Sequence, residues 1–169
     1  PYSQIYVTLI SAINSAETQI CLTNAYFVPD AQLLAALKDA VKRGVDVRLL
    51  LPDKTDSKLV YYASRSFYEE LLKANVKIYE RKNALLHAKT ALIDGVWSTV
   101  GSTNLDWCSF LNNQEINAVI LGQNFGTEMQ TLFENDLKSS ELITLKKWRK
   151  RSISTRLKEQ AARLWARLL

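Results

Sequence analysis

Residues 87–104 hold the pattern that most restricts how this chain can fold. They read His87-Ala88-Lys89-Thr90-Ala91-Leu92-Ile93-Asp94-Gly95, then Val96 to Val100, then Gly101-Ser102-Thr103-Asn104. As spacing this is H-x-K, four residues, D, six residues, G-S-x-N. An Asp-Gly pair between two apolar runs is a strong two-residue hairpin signal. On a strand, a two-residue step places His87 and Lys89 on one face. The returning strand then delivers Gly101, Ser102 and Asn104 beside that pair. An imidazole, an ammonium, a hydroxyl and an amide converge on one small volume, which suits a phosphodiester.

Each residue type has a chemical reason. His87 is the only histidine in the chain, and an imidazole near neutral pH attacks phosphorus or shuttles a proton. Lys89 offers a compact positive charge to non-bridging phosphate oxygens. Ser102 and Asn104 donate further hydrogen bonds to those oxygens, or cap the following helix. Gly101 is expected to let the backbone approach the ligand closely. The imidazole needs an orienting partner, and a carboxylate on its other nitrogen serves. Glu115 opens a strand-like run, Glu115 to Leu121, and a strand beside that of His87 places it behind the ring. No metal or other cofactor is expected, because one histidine and the distant Cys21 and Cys108 do not make a zinc site without many carboxylates.

The rest of the chain alternates helix and strand. Ile5, Leu9, Ile10 and Ile13 mark a first amphipathic helix. Gln19 to Thr23 reads as a strand, and Asp30 caps a second helix that Gly44 ends. Val45 to Leu51 is a buried strand. One long helix is predicted from about Ser57 to Ala74, then a strand from Val76 to Tyr79. Beyond the hairpin and the Glu115 strand, a helix runs from about Phe125 to Leu137. This order predicts an α/β fold, a mixed β-sheet flanked by helices. Tyr26 and Phe27 follow a strand and precede a helix, where ligands of open α/β sheets collect, so they are candidates to wall the site or to be core aromatics.

The motif resembles the HKD motif of the phospholipase D superfamily. The stretches Leu22 to Asp30, Arg43 to Arg48, Ala63 to Ser66, Leu86 to Lys89 and Gly101 to Asp106 look like the C-terminal half of bacterial cardiolipin synthases. That resemblance covers about residues 1–140. It implies a phospholipase D-like half-domain, with His87 and Lys89 as catalytic groups and Glu115 orienting the imidazole. Asp94 matches the motif aspartate, which belongs to the catalytic set and is read as holding the motif turn. Family members often carry an arginine where this chain has Cys108, which removes any phosphate contact made from there. The family reaction uses two histidines, one forming a phosphohistidine and one protonating the leaving alcohol. One motif is half of that. The chain is then either part of a longer protein carrying the other half-site, which its start at Pro1 without Met fits, or a twofold homodimer.

Length and charge complete the reading. A chain of 169 residues, 47% apolar, can bury one core, and it contains no run of about 18 apolar residues. Residues 146–169 carry nine basic side chains against one acidic residue, Glu159, or +8; the whole chain is +5, so residues 1–145 are −3. A nuclease spreads positive charge over its groove, so nucleic acid is not the expected partner. In that tail Ile153, Leu157, Ala161, Leu164 and Leu168 form an apolar stripe with Trp165 at its edge and Arg156, Arg163 and Arg167 beside it. The stripe predicts a helix lying on an anionic membrane, or docking on a protein. Two parts are expected: a catalytic half-domain over 1–143 and a basic amphipathic helix over 144–169. The resemblance implies phosphatidyl transfer, with phosphatidylglycerol as an anionic phospholipid substrate, at the cytoplasmic face of a bacterial cell membrane. A homodimeric phosphodiesterase and a non-catalytic interaction module are the other readings.

Overall fold

A computed structural model describes residues 2–165. Among these residues seven strands form one mixed sheet in the order β6-β5-β4-β1-β2-β3-β7. The chain enters through α1 (Gln4–Ser15), whose apolar spacing buries Tyr6, Leu9, Ile10 and Ile13. Strand β1 (Gln19–Asn24) follows and is buried along nearly its whole length. Helix α2 (Ala31–Lys42) starts where Asp30 accepts the Leu33 N–H at 2.8 Å, so the capping carboxylate read from the sequence is in place. The same carboxylate accepts the hydroxyls of Tyr2 and Tyr6 at 2.8 and 2.7 Å, tying α1 to α2. Strands β2 (Asp46–Pro52) and β3 (Lys77–Arg81) extend the sheet in parallel with β1.

The single helix expected over Ser57–Ala74 is two. Helix α3 (Lys58–Arg65) stops and α4 (Tyr68–Lys73) restarts. The Ser66 hydroxyl donates back to the Ala63 carbonyl at 2.6 Å, a local bond that competes with continuing the helix.

The hairpin is β4 (Lys89–Ile93) and β5 (Trp97–Gly101). Asp94 and Gly95 both take positive φ, 52° and 70°, as a tight primed turn requires. The Val96 N–H closes that turn on the Ile93 carbonyl, and the ladder resumes with Ile93 opposite Trp97, leaving Val96 outside it. Strand β4 pairs antiparallel with β1, β5 with β4, and β6 (Asn117–Leu121) with β5. A short helix, α5 (Trp107–Leu111), fills the β5–β6 connection. Helix α6 (Gln123–Lys138) covers the other face of the sheet. A strand unread in the sequence, β7 (Ser140–Ile143), pairs with β3 and caps that edge. The tail forms α7 (Leu145–Arg149) and α8 (Ile153–Leu164); Arg167 and Leu168 lie outside the described residues.

Alternation along the strands divides the core. Ile20, Leu22, Val47, Leu49, Ala91 and Ile93 face the large cluster under α1 to α4. Cys21, Leu50 and Leu92 face Met129 and Phe133 of α6 in a smaller one. Helix α6 lies so close to the hairpin that a Cβ at Gly126 would fall 1.8 Å from the Gly95 carbonyl oxygen. Among the described residues no helix is long and apolar enough to cross a membrane.

Asp94 fastens this frame. Its carboxylate accepts the N–H groups of Glu17, Thr18 and Gln19 at 2.8 to 2.9 Å, and the Thr18 hydroxyl at 2.8 Å. Partial burial pushes its pKa up, but these donors together outweigh it and hold the carboxyl below its ordinary value. A carboxyl held down by its folded partners stabilises the fold above its unfolded pKa, near about 3.9, and loses that contribution as pH falls through the lower folded value. Asp94→Ala is therefore expected to lower stability at neutral pH by about 2 kcal/mol. Urea unfolding of both proteins should show the gap closing in strongly acidic solution; a gap independent of pH contradicts the assignment.

Candidate active site

The site lies where β1 ends and β4 begins. Antiparallel register sets Asn24 opposite Lys89. Asn24 stitches two loops together: its Nδ2 donates to the Thr103 carbonyl at 3.3 Å, and its Oδ1 accepts the N–H groups of Tyr26 and Leu105 at 3.1 and 3.2 Å. Phe27 and Leu105 form an isolated bridge beside it. The Ser102–Asn104 loop is thus anchored to the end of β1.

His87 stands just ahead of β4 and is exposed, whereas Lys89 is its first residue and is buried. The Lys89 ammonium donates to the His87 carbonyl at 2.8 Å, which fixes the two residues relative to one another. Burial lowers the Lys89 pKa, and the fields of Glu115 and Asp106 oppose that loss of charge.

Asp94 sits at the far end of β4, with its oxygens on Glu17, Thr18 and Gln19. The structure therefore separates it from His87 and Lys89, with Lys89 at the first position of β4 and Asp94 just past the last, and its contacts are those of a residue that holds the turn.

Glu115 is placed differently from the sequence expectation. It precedes β6, which pairs with β5 and not with the His87 strand. Its carboxylate accepts the Ser102 hydroxyl on one oxygen and the Ser109 hydroxyl, at 3.0 Å, on the other, with Asn113 at 3.5 Å. The imidazole is not among these donors. Glu115 here orders the Ser102–Asn104 loop. Ser109, in α5, also accepts the Asn104 N–H at 3.3 Å, and its own N–H is capped by Asp106 at 2.8 Å. The Ser109 hydroxyl thereby joins Asn104 to Glu115, and Ser102 meets the same carboxylate through its own hydroxyl. Asp106 is buried, and burial raises its pKa, with Ser109 opposing and Glu115 adding to the rise. Ser109, Asp106 and Asn24 went unread in the sequence; the Asp106-to-Ser109 step is a helix-capping signal that could have found two of them.

Gly101 has a role other than the one expected. A Cβ there would lie 2.1 Å from Asn117 Oδ1 and 2.3 Å from the Ile116 carbonyl oxygen. The close approach that requires glycine is that of β6. Asn117 in turn accepts the Thr103 N–H and hydroxyl at 3.3 and 2.8 Å. Of the two aromatic candidates, Phe27 is a core residue, fully buried. Tyr26 is half-buried and donates its hydroxyl to Asp56, which with burial raises its pKa to about 12. A cavity of about 170 Å³ opens between α1 and the sheet, with Leu9, Leu22, Trp97 and Val119 on its walls and Lys89 and Asn24 at its polar side.

Ser109→Ala would remove the shorter of two hydrogen bonds to one Glu115 oxygen and leave the Asn104 N–H without its acceptor. It is expected to cost about 1 to 3 kcal/mol in urea unfolding. A change under about 0.5 kcal/mol, the size of an ordinary surface substitution, contradicts the network.

Comparison with known proteins agrees with this geometry. The family model described as "Cardiolipin synthase, PLD-like domain" matches residues 9–137. Cardiolipin synthase A of Pectobacterium carotovorum subsp. carotovorum (strain PC1) is 41% identical over 169 residues, all of this chain and 35% of the relative. The chain thus spans about a third of the length of that relative. The crystal structure of a phospholipase D family member, Nuc from Salmonella typhimurium, superposes with a TM-score of 0.72 at 23% identity, covering 85% of this chain and 95% of that one. Phosphatidylserine synthase of Haemophilus influenzae gives a TM-score of 0.77 at 12% identity, over 98% of this chain and 45% of that one. These two likenesses establish the fold. The match over most of the chain, with the HKD pattern and its α/β half-domain, places the protein in the cardiolipin synthase, phospholipase D-like domain family.

Proposed function

We propose that this chain supplies one of two half-sites of a phosphatidyltransferase working on anionic phospholipid at a membrane surface. The observation that carries the reading is the assembly of His87, Lys89, Ser102 and Asn104 at one end of β4 and β5, in a chain 41% identical to a cardiolipin synthase A. Lys89 holds the phosphate by charge, and the Ser102–Asn104 loop, braced by Glu115, Ser109 and Asn24, by hydrogen bonds. His87, exposed ahead of the strand, is free to face the phosphorus or an alcohol oxygen.

The reaction balances with two imidazoles. One attacks phosphorus, a P–N bond forms, and the P–O bond to the departing alcohol breaks as that oxygen takes a proton from the other imidazole. An acceptor alcohol then gives its proton to the second imidazole and attacks phosphorus, and the P–N bond breaks. His87 is the proton carrier when the other half-site precedes it in a longer protein. In a twofold homodimer each copy provides both roles.

The exposed β6 end supports a missing half. Ile116, Val119 and Leu121 are 79%, 49% and 74% exposed, an apolar edge that a second half-domain would cover. The cavity beside Lys89 is mostly apolar on its walls, which suits lipid more than nucleic acid. The basic tail fits a peripheral position on the cytoplasmic face of a bacterial membrane.

Phosphatidylglycerol in liposomes is the test substrate, with products resolved by mass. The wild-type chain, paired with a second half-site, should make cardiolipin, and His87→Asn should slow it by about 10³-fold. Phosphatidic acid in its place would make the chain a hydrolase. Turnover that survives His87→Asn contradicts the proposal.

A further inference from the structure

Helix α8 is attached to the body by its charged side. Glu159 is fully buried and accepts the Arg151 Nε at 2.8 Å. Arg163 lies over the Phe67 ring at 4.4 Å and reaches Glu70 and the Ser66 carbonyl, each at 3.4 Å. Lys158 stands over Tyr62 at 5.7 Å, and Ala162 is buried. These contacts run along α3 and the start of α4.

The other side of the helix is bare. A helix turns about 100° per residue, so Ile153, Leu157, Ala161 and Leu164 form one stripe, roughly opposite Glu159 and Ala162. Ile153, Leu157 and Leu164 are 76%, 66% and 84% exposed, and Trp165 at the helix end 57%. This reverses the usual arrangement, in which the apolar stripe faces the core and charge faces water. The body of the chain cannot cover that stripe, because α8 is already held on α3 by its opposite face.

Charge identifies what covers it. Glu159 is the one acidic residue of 146–169, and it points inward into its ion pair. Lys146, Arg149 and Lys150, in and just after α7, are exposed, as is Lys158 of α8, and Arg156 of α8 donates to the Arg149 carbonyl, which sets the end of α7 beside the helix. The outer surface of this segment therefore presents apolar side chains, a tryptophan and cations of its own, with no carboxylate of its own. Protein interfaces are depleted of lysine at their cores. An apolar stripe flanked by cations, with an indole at its end, matches the headgroup boundary of an anionic bilayer.

We infer that α8 is a preformed membrane-docking face: Ile153, Leu157, Ala161, Leu164 and Trp165 enter an anionic bilayer while the Glu159 side holds the catalytic body. The inference rests on the lipid reading of the active site and deepens it by naming the surface that brings the site to its substrate. The face is ordered before it binds, so docking does not bear the cost of forming a helix.

Vesicle co-sedimentation tests this with the chain carrying His87→Asn, so that no turnover is required. Phosphatidylcholine vesicles with phosphatidylglycerol should bind it, and phosphatidylcholine vesicles alone much less. Leu157→Asp with Leu164→Asp should weaken binding by about tenfold or more, with circular dichroism and thermal unfolding unchanged because both residues are exposed. Lys146→Glu with Lys150→Glu should weaken binding chiefly at low salt. Equal binding by the leucine variant, or equal binding to both vesicle types, overturns the inference. So does a self-association or protein complex that the leucine variant abolishes while vesicle binding persists. Vesicle binding in this pattern, with no phosphatidyl transfer once the wild-type chain is paired with a second half-site, refutes the enzymatic proposal and leaves the docking face standing.

Discussion

The antiparallel register between β1 and β4 is the constraint on which the site depends. At one end it pairs Asn24 with Lys89, and at the other Ile20 with Ile93. Asp94 locks the second end by binding Glu17, Thr18 and Gln19. A slip of one residue would move every side chain of β4 to the opposite face. Lys89 would then leave the large-core side, where Ala91 and Ile93 now point, for the side of α6. The motif aspartate thus acts on the candidate site from a distance, by fixing which way the lysine faces.

The loop that carries Ser102 and Asn104 is held from three directions. Asn24 binds it from β1, Asn117 from β6, and Glu115 and Ser109 from the segment around α5. Such preorganisation matters for phosphoryl chemistry, where positioned dipoles and charges act without rearranging as the reaction proceeds. Electrostatics follow the same design. Lys89 is buried, which disfavours its charge, and the fields of Glu115 and Asp106 offset part of that loss. The Asp106 carboxyl is itself pushed upward, chiefly by burial, with the Ser109 hydrogen bonds and the Lys89 charge opposing the rise.

Local signals carried much of this into the sequence. The Asp-Gly turn and the Asp30 cap depend on neighbours in the chain and are legible; the step from His87 to Lys89 is not a shared strand face, because β4 starts at Lys89 and leaves His87 exposed ahead of it. Features set by packing are not legible. The break between α3 and α4 depends on the Ser66 hydroxyl turning back to Ala63, a choice the helical periodicity did not contain. The sequence suggests Glu115 behind the imidazole on a strand beside that of His87; the sheet order puts β5 between them. Spacing alone suggests that Gly101 faces a ligand, whereas β6 occupies the space its missing Cβ leaves. Phe27 follows a strand end, where ligands gather, yet its ring completes the core. In the tail, the apolar stripe was visible from spacing, but only the fold shows that the charged side docks inward.

Because His87 is the only imidazole in the chain, its NMR signals report on the site without ambiguity. Titration with inorganic phosphate is the most direct test of the central claim, that β4 and the Ser102–Asn104 loop form a phosphate site around His87 and Lys89. The account predicts a saturable shift of the His87 ring resonances, with affinity weakened about tenfold or more in Lys89→Ala. No saturable shift, or the same affinity in the variant, would contradict it.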